Sequence, residues 1–131
     1  YDDNYSKVYF NLNDWAELYS KENISFAFGT RFHGNMVAMH RMDDSLLASI
    51  SISYSKAYTA AALRAPTEDA ARDILPGQPL YGLQQTHPGR FCIFGGGLPI
   101  MKHGSLIGGL GVSGGTVEQD MAVARYALSA D

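Results

Sequence analysis

Cysteine, long apolar runs and clustered basic charge are what this 131-residue chain has little of, and each shortage removes a class of protein. A single cysteine, Cys92, excludes an intramolecular disulfide framework and fits a reducing, cytoplasmic compartment, where it would sit inside a strand as a small apolar residue. No run approaches the ~20 apolar residues of a membrane span, and no charged-then-apolar leader opens the chain. The first residue is Tyr1 rather than Met, which leaves room for a removed leader or a longer parent. The 10 Lys and Arg residues are scattered, and with 13 Asp and Glu the net charge is -3. Phosphate neutralisation needs clustered cations, so nucleic acid is not an expected partner. No serine sits in a G-x-S-x-G elbow, no Gly-Lys-Ser/Thr phosphate loop occurs and zinc spacing is absent.

Glycine, in contrast, is abundant and concentrated. Three of the 14 glycines are Gly95 to Gly97 and six more fall between Gly104 and Gly115. Strands tolerate that density only where backbone bends or is closely approached, so something packs or binds against it. The order reads strand, glycine corner, strand, tight turn, strand, then a second glycine corner that opens a final helix. Strands are expected over roughly 90–94, 98–101 and 105–112, with His103-Gly104 as the hairpin turn between the last two. Thr116-x-x-Gln119 is a capping box, and Val117, Met121, Ala124 and Leu128 mark the apolar stripe of the closing helix. Asp120 lies at the edge of that stripe, where burial would demand a cation, with Arg41 or Lys56 as candidates.

Upstream, Tyr5, Val8, Leu12, Trp15 and Tyr19 recur at helical spacing and predict an amphipathic helix over roughly residues 5–22, with Trp15 in the core. Ile24 to Phe32 and Met36 to Met42 read as a hairpin turning at His33-Gly34-Asn35. From Ser45 to Leu63 two signals compete. Ala48 to Tyr54 alternates like a strand, whereas Leu46, Ile50, Ala57 and Ala61 lie near helical spacing and Ala60-Ala61-Ala62 favours helix. Pro66-Thr67 then opens a short helix over roughly 68–74, stopped by Pro76-Gly77, and a loop follows to Arg90. At this length the whole chain, residues 1–131, reads as one domain.

Several side chains could carry chemistry. His40 shares a strand face with Met36, Ala38 and Met42, a setting for a metal or haem ligand flanked by soft sulfur. Lys56, beside small residues on a helix, could be a desolvated amine available for pairing or reaction, against the commoner solvated lysine. Gly109-x-Gly111-x-x-Gly114 satisfies the dinucleotide fingerprint G-x-G-x-x-G, but the chain ends after a single helix, so no βαβ unit follows and no nicotinamide or flavin dinucleotide site is expected. The Ser113 to Thr116 amides at a helix start could hold an anion, opposed by the like charge of Glu118 and Asp120.

Arg41-Met42-Asp43, Lys56-Ala57-Tyr58-Thr59-Ala60-Ala61, Ala65-Pro66-Thr67, Gly96-Gly97-Leu98-Pro99-Ile100 and the run Gly108 to Asp120 together resemble the GlcG/HbpS family, which includes the C-terminal domain of PduO. The resemblance decides the Ser45 to Leu63 conflict in favour of helix. It implies an α/β (α+β) single-domain sandwich, a roughly five-stranded antiparallel sheet with helices on its faces, assembled as a homo-oligomer. It also implies a domain that binds haem or a related tetrapyrrole, in a family with members encoded beside catabolic or corrinoid enzymes. On this reading aromatic and Met-rich walls bury the macrocycle while a His, Tyr or Met ligates iron, His40 and His87 being the preferred ligands. Arg41, Lys56, Thr59, Gly95, Gly96, Gly97 and Asp120 are the expected ligand-binding residues. The alternative is an enzyme acting on a small organic acid or aromatic metabolite through Lys56, Glu118 and Asp120, and a further alternative is a non-catalytic oligomeric accessory protein. Two departures from the family pattern, Thr30-Arg31-Phe32 in place of a strand ending in Val-Asp and Met121 in place of an acid or amide, remove negative charge and favour an anionic ligand.

Overall fold

Glycine placement explains why a helix can lie almost on top of the sheet. The computed structural model describes residues 25–30, 36–41 and 45–129. Strands β1 (Ser25–Thr30) and β2 (Met36–Arg41) pair antiparallel, with Phe26 opposite His40. Strands β3 (Gly97–Lys102) and β4 (Ser105–Ser113) form a second antiparallel pair, and β4 also pairs with β1, giving the order β2-β1-β4-β3. The β3–β4 turn is His103-Gly104, both left-handed with φ of 52° and 79°, the two-residue geometry that matches strand twist.

The Ser45 to Leu63 conflict resolves as helix α1 (Ala48–Leu63), which lies across β4, β1 and β3. Gly97 stands opposite Gly111, and Pro99 opposite Gly109, so three glycines floor one patch of the sheet. A Cβ at Gly111 would come within 1.9 Å of the Ser53 carbonyl oxygen, one at Gly109 within 2.1 Å of Ala57 O, and one at Gly97 within 2.5 Å of Lys56 O. The backbone of α1 itself occupies the space that side chains would need. Buried Ser53, Ala57, Ala60 and Ala61 supply an equally flat helix face. What approaches the glycine-rich backbone is therefore this helix.

Helix α2 (Thr67–Asp73) follows, and a 3-10 turn (Leu83–Thr86) interrupts the expected loop. Helix α3 (Val117–Leu128) opens with the expected capping box, in which Thr116 Oγ1 accepts from the Gln119 amide and Gln119 Oε1 accepts from the Thr116 amide. Strand alternation sends Leu110 and Val112 to the face away from α1, where they pack with Ile100, Val123, Ala124 and Ala127 as the apolar core. The sheet thus carries helices on both faces.

Two expectations need correction. Arg90 to Phe94 is not a strand, so the described sheet has four strands rather than five. The Cys92 amide donates to Thr59 Oγ1 on α1 at 2.8 Å instead of to a strand neighbour, and Gly96, at φ 124°, bends the chain into β3. The buried face of α3 is Asp120, Val123, Ala124 and Ala127; Ala124 and Leu128 meet the core as expected, whereas Val117 is exposed and Met121 only half-buried. The turn is set by Asp120, which is drawn inward, and by alanines small enough to seat the helix closely. The expected helix over 5–22 with Trp15 and the hairpin turn at His33-Gly34-Asn35 lie outside the described residues. Among the described residues no helix is long and apolar enough to cross a membrane.

Candidate functional site

Two places gather the chemistry-bearing side chains. The first lies where α1, β4, α3 and the Gly95 to Gly97 corner meet. Lys56 is fully buried, and its ammonium donates to Val112 O at 2.8 Å and to Asp120 Oδ2 at 2.9 Å. The same nitrogen lies 5.0 Å from the centroid of the Phe94 ring, whose face offers the third direction a partial negative charge. Asp120 Oδ1 accepts from the Gly115 amide at 3.0 Å, so both carboxylate oxygens are engaged. Burial pushes the Asp120 carboxyl above its ordinary value of 3.8, outweighing the downward pull of the Lys56 hydrogen bond and charge and of the Gly115 amide. Cys92 adjoins this cluster, and burial raises its thiol from 9.0 against the opposing Phe94 backbone hydrogen bond and Lys56 charge.

The glycine corner fits around this pair. A Cβ at Gly96 would stand 2.7 Å from Lys56 Nζ and 2.6 Å from Val112 O, and one at Gly95 would reach the Met121 sulfur at 2.5 Å. Thr59 is buried, donates to Ser55 O at 2.7 Å and accepts from Cys92. Thr67 Oγ1 accepts from the Gly97 amide at 2.9 Å and anchors the start of β3. Lys56, Thr59, Gly95, Gly96, Gly97 and Asp120 are thus gathered in one region. Arg41 is not with them; it turns to Ser45, with Nε 3.0 Å from Ser45 Oγ and a terminal nitrogen 2.9 Å from Ser45 O. Of the two cations expected for Asp120, Lys56 serves and Arg41 does not. Glu118 is exposed, on the solvent side of the same helix turn.

The anion site considered at Ser113 to Thr116 is filled from within the chain. The Gly115 amide serves Asp120 and the Thr116 amide serves Gln119. Gly109 and Gly111, the first glycines of the fingerprint, face α1, which leaves no room for a pyrophosphate there.

The second place is the exposed corner between the 3-10 turn and α1. His87 stacks on Phe91 with ring centroids 4.4 Å apart and planes 21° apart, and its Nδ1 lies 2.8 Å from Thr86 Oγ1. The Arg90 guanidinium stands 4.0 Å over the Tyr58 ring, and Tyr58 and Phe91 are 6.0 Å apart. Tyr54, Ser55, Tyr58, Gly89 and Arg90 line an open cleft of about 80 Å³. His40 is half-buried on β2 and already has a contact partner. Among the described residues no group of three or more His, Cys, Asp or Glu side chains could hold a metal ion. Nothing in the sequence patterns singled out Tyr58, Phe91 and Arg90. Tyr58 lies on α1 and Arg90 and Phe91 follow Gly89, so the three meet only in the folded chain.

A family model described as haem degrading protein HbpS-like matches residues 20–129. A 15.0 kDa protein from the dhaT-dhaS intergenic region of Citrobacter freundii is 50% identical over 107 residues, covering 81% of this chain and 75% of that protein. The corrinoid adenosyltransferase PduO of Salmonella typhimurium is 44% identical over 98 residues, which cover 75% of this chain but only 29% of PduO, so the chain spans under a third of that enzyme. The crystal structure of the PduOC:heme complex superposes with a TM-score of 0.92 at 34% identity, covering 98% of this chain and 92% of that one.

Proposed function

The chain belongs to the HbpS-like family, and from that premise we propose that it is a small-ligand-binding domain whose ligand is haem or a closely related tetrapyrrole. The observation that carries this reading is the chain-wide match to the PduOC:heme complex. The described residues also suit the group. They offer imidazoles at His40 and His87, aromatic faces at Tyr54, Tyr58 and Phe91, and a guanidinium at Arg90 to meet a propionate. Bound haem supplies a redox-active iron whose behaviour the axial donor and local polarity tune.

The Lys56 and Asp120 pair serves the domain differently on this reading. Lys56 is bonded to Val112 O and Asp120, Asp120 is bonded to Lys56 and the Gly115 amide, both are buried, and Glu118 stands apart in solvent, so the pair ties α1 to α3 rather than moving protons for a substrate. Assembly as a homo-oligomer is part of the same proposal. Titration of the purified chain with haemin tests it: a Soret band that saturates at one haem per chain or per dimer supports a specific site, and a featureless, non-saturating rise overturns it.

A further inference from the structure

The bond network around His87 determines which ring nitrogen is available. The Thr86 hydroxyl has one proton and donates it to the Leu83 carbonyl at 2.7 Å, an oxygen that can only accept. In its 2.8 Å contact with His87, Thr86 Oγ1 must therefore be the acceptor, and Nδ1 carries the proton of the neutral imidazole. That leaves Nε2 with a free lone pair, and among the described residues it has no hydrogen bond. This is the tautomer a metal takes, with the second nitrogen held by a hydrogen bond that orients the ring. Stacking on Phe91 restrains the same ring from its face.

Three residues further on, Arg90 brings positive charge to the same corner. Among the described residues no carboxylate pairs with it, and its guanidinium carbon stands 4.0 Å over the Tyr58 ring. The adjoining cleft of about 80 Å³ is far below the roughly 300 Å³ at which pockets begin to enclose a drug-sized ligand. It cannot enclose a macrocycle. It can admit a short carboxylate arm beside a cation.

We propose that this corner is the tetrapyrrole site, with His87 Nε2 as an axial ligand to iron and Arg90 as the partner of a propionate, the ring lying beside Tyr54 and Tyr58 while Phe91 backs the imidazole. The inference rests on the haem-binding reading above and deepens it. It also distinguishes His87 from His40, which is half-buried on β2.

The test compares haemin with haemin dimethyl ester, whose propionates are capped, on the wild-type chain and on His87→Ala, His87→Gln and Arg90→Gln, with far-UV circular dichroism confirming the fold. The wild type should bind haemin about tenfold more tightly than the ester, and Arg90→Gln should remove that difference. Both His87 variants should shift the Soret maximum and the Raman markers of iron coordination, and added imidazole should restore them, while His103→Asn changes neither. If the wild type binds haemin saturably but the His87 variants keep its spectrum, or His40→Ala shifts it instead, the assignment is overturned and haem binding stands. If the wild type shows no saturable binding, both fall.

Discussion

Lys56 and Asp120, 64 residues apart in the chain, meet at 2.9 Å with both side chains closed off from water. The contact joins α1 to α3 at the end of β4, and the carbonyl of Val112 completes it. A buried pair of this kind is costly to break from one side, because the remaining charge has no water to turn to.

Removing one partner should accordingly cost about 3–5 kcal/mol of stability, for Lys56→Met and for Asp120→Asn alike. The double variant should lose less than the sum of the two, since it leaves no orphaned charge. Urea unfolding of the four proteins reads the coupling directly. Additive losses would mean that the two side chains act independently.

The same site predicts a pH dependence with a definite sign. Burial holds the folded Asp120 carboxyl above its ordinary 3.8, so the folded state keeps this proton to higher pH than the unfolded chain does. The stability so gained is full below pH 3.8 and is lost as pH rises through the folded value. Stability of the wild type relative to Asp120→Asn should therefore fall across that window. In Lys56→Met the downward pull is gone, and carbon NMR should find the Asp120 titration displaced further upward.

Gly111→Ala should destabilise the domain by about 3 kcal/mol or more, because the new methyl would stand 1.9 Å from Ser53 O and α1 would have to lift from the sheet. Gly104→Ala provides the contrast. It meets nothing within 4 Å and has only a left-handed φ of 79° to accommodate, a cost of about 1–2 kcal/mol. Unfolding midpoints that fail to separate the two would contradict the close seating of the helix.

How far these features could be read from sequence depends on whether their cause was local. The Thr116 capping box and the His103-Gly104 turn are short-range chemistry, and both are where their residue types place them. Lys56 as the partner of Asp120 was one of two candidates, since spacing along a chain does not say which cation crosses the sheet. Phe91-Cys92-Ile93-Phe94 looks like a buried strand because it is apolar, yet a threonine hydroxyl on α1 claims its backbone amide. Glycine density was visible, but its cause is a helix packed from across the fold, which no pattern within the glycine run could state. The aromatic corner depends on Tyr58 and Arg90 meeting across a gap in sequence, and was invisible for the same reason.

Cys92 should behave as a protected thiol. It is 7% exposed and its ionisation is pushed up by burial, so the native protein should resist alkylation by iodoacetamide at neutral pH. Modification followed by mass spectrometry should become complete only in denaturant. Rapid native labelling would place the thiol in a different environment.

Gel filtration of the chain mixed with excess haemin, monitored at 280 nm and at the Soret wavelength with light scattering on the eluate, reads haem binding and assembly together. Soret absorbance should travel with the protein at a constant ratio of one haem per chain or per dimer across an oligomeric peak. Haem that separates from the protein, or trails across it at a ratio set only by the amount loaded, would contradict it.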